Sequence, residues 1–489
     1  MISSFGSVNS RRIMHRWAVL SALAAVLTAC GGTPAPAGGT ATTQQNVGTV
    51  NFLSSQAQPV NEAEAMRRDV LSGFNGTANF DSSRSDAQIV QQVQAETQAG
   101  KSTVDLVAGL HGDFPTLQRA DTLEDLTPLL QKLGSDRHFN ADLLKYGKLG
   151  TQKQYYIPWI QATYMMVANK KALQYLPKGT DVNSLTYDQL IQWGQNMKQA
   201  TGENKIGLPA GDKGLIQRGL EGYWYPSFTG TEVTGFKSSD AVSMWQTYKR
   251  LWAVTSAQST NYAFMQEPLQ SGEIWVAWDH QARLIDALNN SPDQFVAFPA
   301  PSGPKGLGYM SVVVGLAIPK GAPNRKGAEA LIDYLTQPKN QVKATSVVGF
   351  FSVLTDQAAN NTTGGNVKPG VGLEAAAAAK QSGSRKAIPA LLPVGLGSKD
   401  AEFNKAYRDS FTRIILRGED IQTVLSDEAQ QLNSLLNAAN ASCWPPDGVR
   451  RCACRPHRVG GDSAGNPTRS SRRRRYSCSC SSSGPRSRR

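Results

Sequence analysis

Val104-Asp105-Leu106-Val107-Ala108-Gly109 carries one charge among six residues and is bounded by turn residues, which reads as a short buried β-strand. Immediately before it, Arg84–Ala99 places Ile89, Val90 and Val93 at helical spacing and stops at Gly100, the residue type that most readily closes a helix in the left-handed conformation. Two further strands precede that helix, Val47–Ser54 and Thr77–Asp81, with a helix over Asn61–Ser72 between them. The unit is βαβαβ. Strand–helix–strand crossovers of this kind make a parallel sheet, are right-handed and cover both sheet faces. Solutes then bind outside the carboxyl ends of the strands. The segments to watch are therefore Ser54-Ser55-Gln56, Asp81-Ser82-Ser83 and Leu110-His111-Gly112-Asp113-Phe114.

Downstream the alternation repeats. Strand Thr163–Val167 leads to a helix over Thr186–Ala200, opened by the capping box Thr186-Tyr187-Asp188-Gln189 and closed by Gly202. Helix Asp240–Val254 sets Val242, Trp245, Tyr248 and Trp252 on one stripe. Strand Ile274–Trp278, helix Gln281–Asn289, strand Phe295–Phe298, buried strand Val312–Ile318 and helix Asn324–Thr336 follow. Amphipathic helices Glu402–Leu416 and Asp420–Asn437 close the body, which shows no internal repeat.

The 489 residues carry 51 Lys and Arg against 38 Asp and Glu, a formal charge of +13. That charge is held at the ends: residues 1–30 have three bases and no acid, and residues 443–489 have twelve Arg and two acids. What is left, residues 31–442, has 36 bases and 36 acids. A neutral body has no basic face with which to release counterions from a polyanion, which excludes a nucleic-acid partner for it. The same 412 residues contain no cysteine, so disulfides, thiolate nucleophiles and Cys-ligated zinc are excluded there as well. At about 150 residues per domain the body makes two to three domains.

At the N-terminus, Arg11, Arg12 and Arg16 precede an eleven-residue run, Trp17–Leu27. That is about half of the roughly 20 residues needed to span a bilayer, and it reads as a signal segment. Leu27-Thr28-Ala29-Cys30 then resembles the bacterial lipobox. The resemblance implies cleavage before Cys30 and a diacylglycerol thioether on it, an anchor of two or more acyl chains. Residues 31–46, rich in Gly, Pro, Ala and Thr, read as a flexible tether.

Catalytic and nucleotide motifs fail on inspection. Ala95 to Ser102 approaches a phosphate loop but lacks its first Gly and lies between a helix and a strand, the wrong order. Gly306-Leu307-Gly308 lacks the third Gly of a dinucleotide fingerprint, and neither a Gly-x-Ser-x-Gly elbow nor a His-Glu-x-x-His helix occurs. The body's three histidines, His111, His138 and His280, are not spaced as a local metal pair, and no metal or cofactor is expected. Asp105, Asp113, Glu273 and Asp279 could form a glycosidase pair if two of them converged at roughly 5–10 Å, Asp113 and Asp279 being the two that a hydrolase would use. More distinctive are aromatic and amide groups near strand ends: Trp159-Ile160-Gln161, Tyr223-Trp224-Tyr225, Trp275 to His280, and Tyr309. Sugars offer an apolar C–H face and a rim of hydroxyls, which suit aromatic planes and Asp, Gln or Ser respectively.

The order of these segments resembles the extracellular solute-binding proteins of ABC importers, in the sugar-binding branch that includes maltose-binding proteins. The resemblance rests on the lipobox, Asp105-Leu-Val-Ala-Gly109 before Asp113-Phe114, Tyr155-Tyr-Ile-Pro158-Trp159 ahead of Met166-Val-Ala-Asn169-Lys170, Ser271-Gly-Glu-Ile-Trp-Val-Ala-Trp278, and Gly315-Leu-Ala-Ile-Pro319. It implies an α/β, two-lobed periplasmic-binding-protein-like fold, each lobe a mostly parallel sheet with helices on both faces. The lobes would be 47–157 with 308–372, and 158–307 with 373–442. It further implies a monomeric, non-enzymatic receptor that passes a sugar or oligosaccharide to ABC permease subunits. Matching cleft positions are Ser54, Gln56, Asp81, His111, Asp113, Trp159 and Gln161, then Trp224, Tyr225, Trp278, Asp279 and Tyr309. Gln56-Ala57 stands where maltose binders carry a charged Asp-Lys pair, which argues against maltose itself. Two alternatives stay open: a secreted carbohydrate-active hydrolase, and a receptor of this fold for a non-sugar solute. Convergent Arg would signal an anionic solute, and the candidate segments contain none.

Residues 443–489 differ from everything before them. They contain no Leu, Ile, Met, Phe, Lys, Glu or Gln, but nine Ser and five Cys beside the twelve Arg. Such a segment cannot form a core and is expected to be disordered. Its composition is that of a GC-rich frame translated out of register, with a basic tail for anionic surfaces, or zinc held by the two Cys-x-Cys pairs, as alternatives.

Overall fold

The computed structural model describes residues 46–56, 60–356, 368–391, 396 and 399–439, and two short strands, Cys454–Pro456 and Tyr476–Cys478, paired antiparallel. The leader with Cys30, the tether and the rest of the tail lie outside the described residues. Among the described residues eleven strands build the body: β1 (Thr49–Ser54), β2 (Thr77–Asp81), β3 (Leu106–Leu110), β4 (Ile157–Ala162), β5 (Tyr164–Asn169), β6 (Ile206–Gly207), β7 (Val276–His280), β8 (Phe295–Phe298), β9 (Leu307–Ala317), β10 (Phe351–Ser352) and β11 (Ala387–Leu391). They form two sheets. The first runs β10-β4-β9-β3-β1-β2 with β11 beside β9, and the second runs β6-β7-β5-β8.

Period-two alternation sorts the strand residues between layers. In β1, Phe52 joins the main core while Leu53 packs on the other face with Ile89, Val90 and Val93 of helix Asp86–Gln98. In β5, Met165 and Val167 face a separate cluster with Leu269, Ile274 and Leu284, while Tyr164, Met166 and Ala168 join the main core. The helix signals hold where they carry a mechanism. Ser85 and Gln88 form one capping box and Thr186 and Gln189 another, and Gly100 and Gly202 take φ of +64° and +77°.

β1, β2 and β3 pair in parallel, as the βαβαβ pattern requires. Beyond them the sheet is mixed: β9 runs antiparallel to both β3 and β4, and the second sheet has antiparallel β5–β7 and β5–β8 beside parallel β6–β7. The cause is the passage of chain between sheets. β4 leaves the first sheet and becomes β5 of the second through Thr163 alone, and β8 returns to β9. The passage is tightly bonded. Thr163 N–H donates to Gln281 Oε1 at 3.1 Å, Thr163 Oγ1 donates to the Met310 carbonyl at 2.7 Å, and Gln381 Nε2 donates to Thr163 Oγ1 at 3.1 Å.

Beside the mixed pairing, a further stretch departs from the sequence reading. Tyr223-Trp224-Tyr225, expected at a turn, lies in a continuous helical segment made of Ile216–Gly219, Leu220–Trp224 and Tyr225–Thr229. Gly219, Gly222 and Pro226 disguise it. Gly222 is there for close approach, since an added Cβ would sit 2.6 Å from the Met310 Cβ. The late helices Pro369–Ser382, Asp400–Phe411 and Ile421–Ala439 pack on the second-sheet side, against helices Ile285–Asn290, Ile216–Gly219 and Ser239–Trp252 respectively. Among the described residues no helix is long and apolar enough to cross a membrane.

Candidate functional site

The ends of β1 and β3 and the first turn of helix Asp86–Gln98 pack around a tight spot with no room for a water-sized group, where Ser55, Asp86 and Asp113 adjoin the core residues Ile89, Val90, Val107, Phe114 and Leu117. Ser54 makes the bend. Gln56 N–H donates to its Oγ at 3.0 Å, the Oγ donates to the Gln56 carbonyl at 3.1 Å, and Gln56 Nε2 reaches Ser55 Oγ at 3.1 Å. Asp113 accepts the Leu110 N–H at 3.0 Å and is only 9% exposed. Burial pushes its carboxyl well above the usual range, and the neighbouring Asp86 adds to the shift. Asp86 is raised by burial too, partly offset by hydrogen bonds from Ser55 and Asp113. Two carboxyls in such contact share a proton.

A second cluster of charged groups centres on Arg218. Its Nη1 lies 2.7 Å from Glu221 Oε2 and its Nη2 lies 3.7 Å from Asp400 Oδ2. Burial works against the guanidinium charge, but Glu221 and Asp400 outweigh it and keep Arg218 protonated. Burial raises Glu221 to about 7 against the pull of Arg218. The two groups feel each other's charge: Asp400 raises both Asp86 and Asp113 while Arg218 lowers Asp86. Glu62 of helix Val60–Ala65 is likewise raised to about 7 by burial, with Arg283 opposing and Asp286 adding.

The remaining expected positions are distributed unevenly. His111 is buried with Nδ1 2.7 Å from the Tyr156 hydroxyl; burial lowers it to about 4, so the ring is neutral, and its Nε2 has no hydrogen-bond partner among the described residues. Asp81 accepts the Ser83 N–H at 2.9 Å and hydroxyl at 2.6 Å and is spent on its own turn. Gln161 donates to the Ser352 carbonyl at 2.7 Å, tying β4 to β10. Trp159 sits at a register shift next to Pro158, where a strand residue without an N–H is tolerated, and its ring lies 5.8 Å from Phe52 in the core at 1% exposure. Tyr225 is wholly buried, stacked on Phe236, with its hydroxyl donating to the Phe236 carbonyl at 3.2 Å. Tyr309 is half-buried in β9, opposite Pro389 of β11.

Trp224 and Trp278 do come together. Both line an apolar cavity of about 20 Å³ with Tyr187, Tyr223 and Tyr248, room for a water-sized group and not for a sugar ring. Trp278 stacks on Tyr164 at 5.0 Å and 8°, and Gly219 leaves space for it, an added Cβ falling 3.2 Å from the indole. Trp224 stacks on Tyr187 at 3.7 Å. Asp279 is wholly buried with both oxygens engaged: Oδ2 accepts the Met265 N–H at 3.0 Å and Oδ1 the His280 N–H at 2.7 Å. Among the described residues no group of three or more His, Cys, Asp or Glu is placed to hold a metal ion.

Comparison with known proteins decides what this arrangement belongs to. Residues 60–342 match the profile of the bacterial extracellular solute-binding protein family. The chain belongs to that family. A search of curated protein sequences gave no significant match. Solved structures with the same fold include the maltose-bound MalE3 of T. maritima, 18% identical, covering 80% of this chain and 100% of its own at a TM-score of 0.61. The UgpB of Mycobacterium tuberculosis in complex with glycerophosphocholine is 17% identical over 80% and 98%, also at 0.61. The GacH receptor of Streptomyces glaucescens, solved unliganded and with acarbose, is 15% identical over 80% and 98%, at 0.60. A solute-binding protein of two lobes holds its solute between them, and Ser55, Asp86, Asp113, Arg218, Glu221 and Asp400 are the candidates for that place.

Four of those six candidates were not singled out in the sequence. Asp86 follows the N-cap of a helix that was itself recognised, so reading the first turn of that helix as part of the β2 loop would have found it. Asp400 starts the helix that was expected two residues later. Arg218 and Glu221 lie in the helical stretch disguised by glycines and offered no local signal.

Proposed function

We propose that this solute-binding protein captures a sugar or oligosaccharide between its lobes, outside the cytoplasmic membrane, and delivers it to an ABC permease. Lobe one comprises residues 47–157 with 308–372, and lobe two 158–307 with 373–442. A lipid on Cys30 tethers the protein, which works as a monomer and without catalysis. The reading is supported by polar groups from both halves of the chain, Ser55, Asp86 and Asp113 in one and Arg218 and Asp400 in the other, whose charges act on one another at the Asp86 carboxyl. The single-residue passage at Thr163 gives those lobes a pivot, and rotation about such passages encloses a solute. Carboxylates and a hydroxyl suit the hydroxyl rim of a saccharide, and several proteins of the same fold are described with saccharides: maltose, acarbose and chitin oligosaccharide.

Hydrolysis is not favoured, because backbone N–H groups already occupy both Asp279 oxygens and the Asp86–Asp113 pair is in direct contact, closer than the roughly 5 Å that a retaining pair requires. A thermal-shift screen against a saccharide library tests the proposal. A saccharide at about 100 times its Kd adds roughly 2.7 kcal/mol to the native state and raises the melting temperature. A library in which no saccharide does so, while another solute class does, would overturn it. Cys30→Ala is expected to abolish membrane retention or processing, and a variant retained and processed like the wild type would remove the anchor from the proposal.

A further inference from the structure

β6 and β7 pair in parallel, so their carboxyl ends lie on one edge of the second sheet, the place where solutes bind in sheets of this kind. Three segments meet there. The loop after β6 leads into the helix that carries Arg218, the turn Gln281–Arg283 follows β7, and the stretch from Asn261 to Met265 lies against both. Arg283 Nη1 ties all three, donating to the Lys213 carbonyl at 3.3 Å and to the Ala263 carbonyl at 3.2 Å. Its guanidinium lies over the Phe264 ring, 4.3 Å from the centroid.

Phe264 is the one exposed aromatic side chain among the described residues, at 37%. A single exposed ring is ordinary on a protein surface, but the backbone around this one is fixed. Gly211 N–H donates to the Tyr262 carbonyl at 2.9 Å, Arg283 holds the Ala263 carbonyl, and Asp279 Oδ2 accepts the Met265 N–H at 3.0 Å. Gly211 permits that approach, since an added Cβ would fall 2.7 Å from the Tyr262 carbonyl carbon.

Helices of the first sheet reach the same edge. Helix Pro338–Val348 packs on β10 and on helix Val60–Ala65, which follows β1. At its end the Gly349 carbonyl accepts a hydrogen bond from Gln281 Nε2, a Cβ added to Gly349 would lie 3.8 Å from Ala282 Cα, and the Phe350 ring meets His280 edge-on at 6.2 Å. The turn that carries Arg283 is therefore a place where elements of the two sheets touch, and Phe264 borders it.

An aromatic plane with a cation behind it and its other face open suits the flat C–H face of a sugar ring, and a fixed backbone lowers the ordering cost of binding. The rings with that chemistry at the expected positions cannot serve: Trp159, Trp224, Tyr225 and Trp278 are each at most 5% exposed. We propose that Phe264, backed by Arg283, is the stacking platform on which the solute's sugar ring lies, and that it selects pyranose rings over open-chain polyols. The inference rests on the sugar-receptor reading above and adds the residue that recognises the ring.

Titration calorimetry with cellotriose, maltotriose and chitotriose, and with sorbitol as the open-chain control, tests this. The wild type is expected to bind at least one trisaccharide and not sorbitol. Phe264→Ala should bind that trisaccharide at least ~10-fold more weakly, about 1.4 kcal/mol, while its melting temperature stays within a few degrees of wild type because the ring is outside the core. Phe264→Leu keeps apolar bulk without a plane and should stay weak, whereas Phe264→Tyr and Phe264→Trp should bind within ~3-fold of wild type. Trisaccharide affinity unchanged in Phe264→Ala, or restored as fully by Leu as by Tyr, would overturn the platform and leave the sugar reading standing. Sorbitol bound as tightly as the trisaccharide would overturn the selection of rings. A wild type that binds no saccharide would overturn both the platform and the sugar reading.

Discussion

Asp113 and Asp279 occupy similar places, each near the carboxyl end of a strand in its own sheet and each almost wholly buried, yet the surrounding chain treats them in opposite ways. Around Asp279, two backbone N–H groups occupy both oxygens. Around Asp113 there is one N–H, from Leu110, and then a second carboxyl. The first is a saturated scaffold group that locks β7 to the loop before Gln266. The second sits against a like group, an arrangement that costs stability and that the proposed function assigns to solute binding. Burial alone does not separate the two roles; the number of donors offered to the carboxyl does.

The comparison extends to neighbours. Trp278 adjoins Asp279 and packs between Tyr164, Tyr223 and Gly219, so it belongs with the scaffold. Trp278→Ala is expected to lower the unfolding free energy by ~3–5 kcal/mol, read from denaturant midpoints. A loss under ~1 kcal/mol accompanied by lost solute affinity would move this residue to the binding surface. Asp279→Asn is expected to cost ~1–3 kcal/mol, because the new amide turns a donor toward a backbone donor. Asp113→Asn imitates the protonated form already preferred in the fold and is expected to change stability by less than ~1 kcal/mol at neutral pH. Equal costs for the two Asn variants would erase the distinction.

Titration separates them further. Burial raises Asp279 to about 7 in the native state, against partial relief from Arg283 and the two N–H groups. Its contribution is therefore complete below the ordinary carboxylate range and is lost as pH rises toward about 7, where the unfolded chain ionises and the native state does not. Unfolding free energy should fall by order ~1 kcal/mol per pH unit for such a group over that window. Asp113, raised well above its usual range, continues the decline to higher pH. Denaturation at a series of pH values should show Asp279→Asn flattening the lower part of the curve and Asp113→Asn extending the flattening upward. Identical curves for both variants and wild type would contradict the assignment. The smallest expected effect is from deleting residues 443–489, which should leave stability within ~0.5 kcal/mol and solute affinity unchanged. Loss of either would make the tail part of the working protein.

Most of the architecture could be read from the chain because it is written in period and caps. Ser85 with Gln88 and Thr186 with Gln189 mark helix starts, Gly100 and Gly202 mark stops, and β1, β2 and β3 are apolar runs. The mixed pairing around β9 was not readable, since it depends on the chain passing twice between sheets. At the site, Ser55 and Asp113 were approached through strand ends, whereas Arg218 and Asp400 become neighbours of Asp86 only after long-range folding of helices that start at Ile216 and Asp400. Aromatic residues misled for a physical reason. Trp159 and Tyr225 have the chemistry of sugar platforms, but large rings are equally the best filling for a core, and here their contacts are Phe52 and Phe236.

If a solute is held between the lobes, it must depend on residues from both. Titration calorimetry of the tightest saccharide against Asp86→Ala, from the first lobe, and Asp400→Ala, from the second, tests that dependence at two positions that are not fully buried. Each variant is expected to bind at least ~10-fold more weakly, about 1.4 kcal/mol, while its unliganded melting temperature stays within a few degrees of wild type. Affinity unchanged in either variant, with the fold intact, would contradict enclosure at this junction.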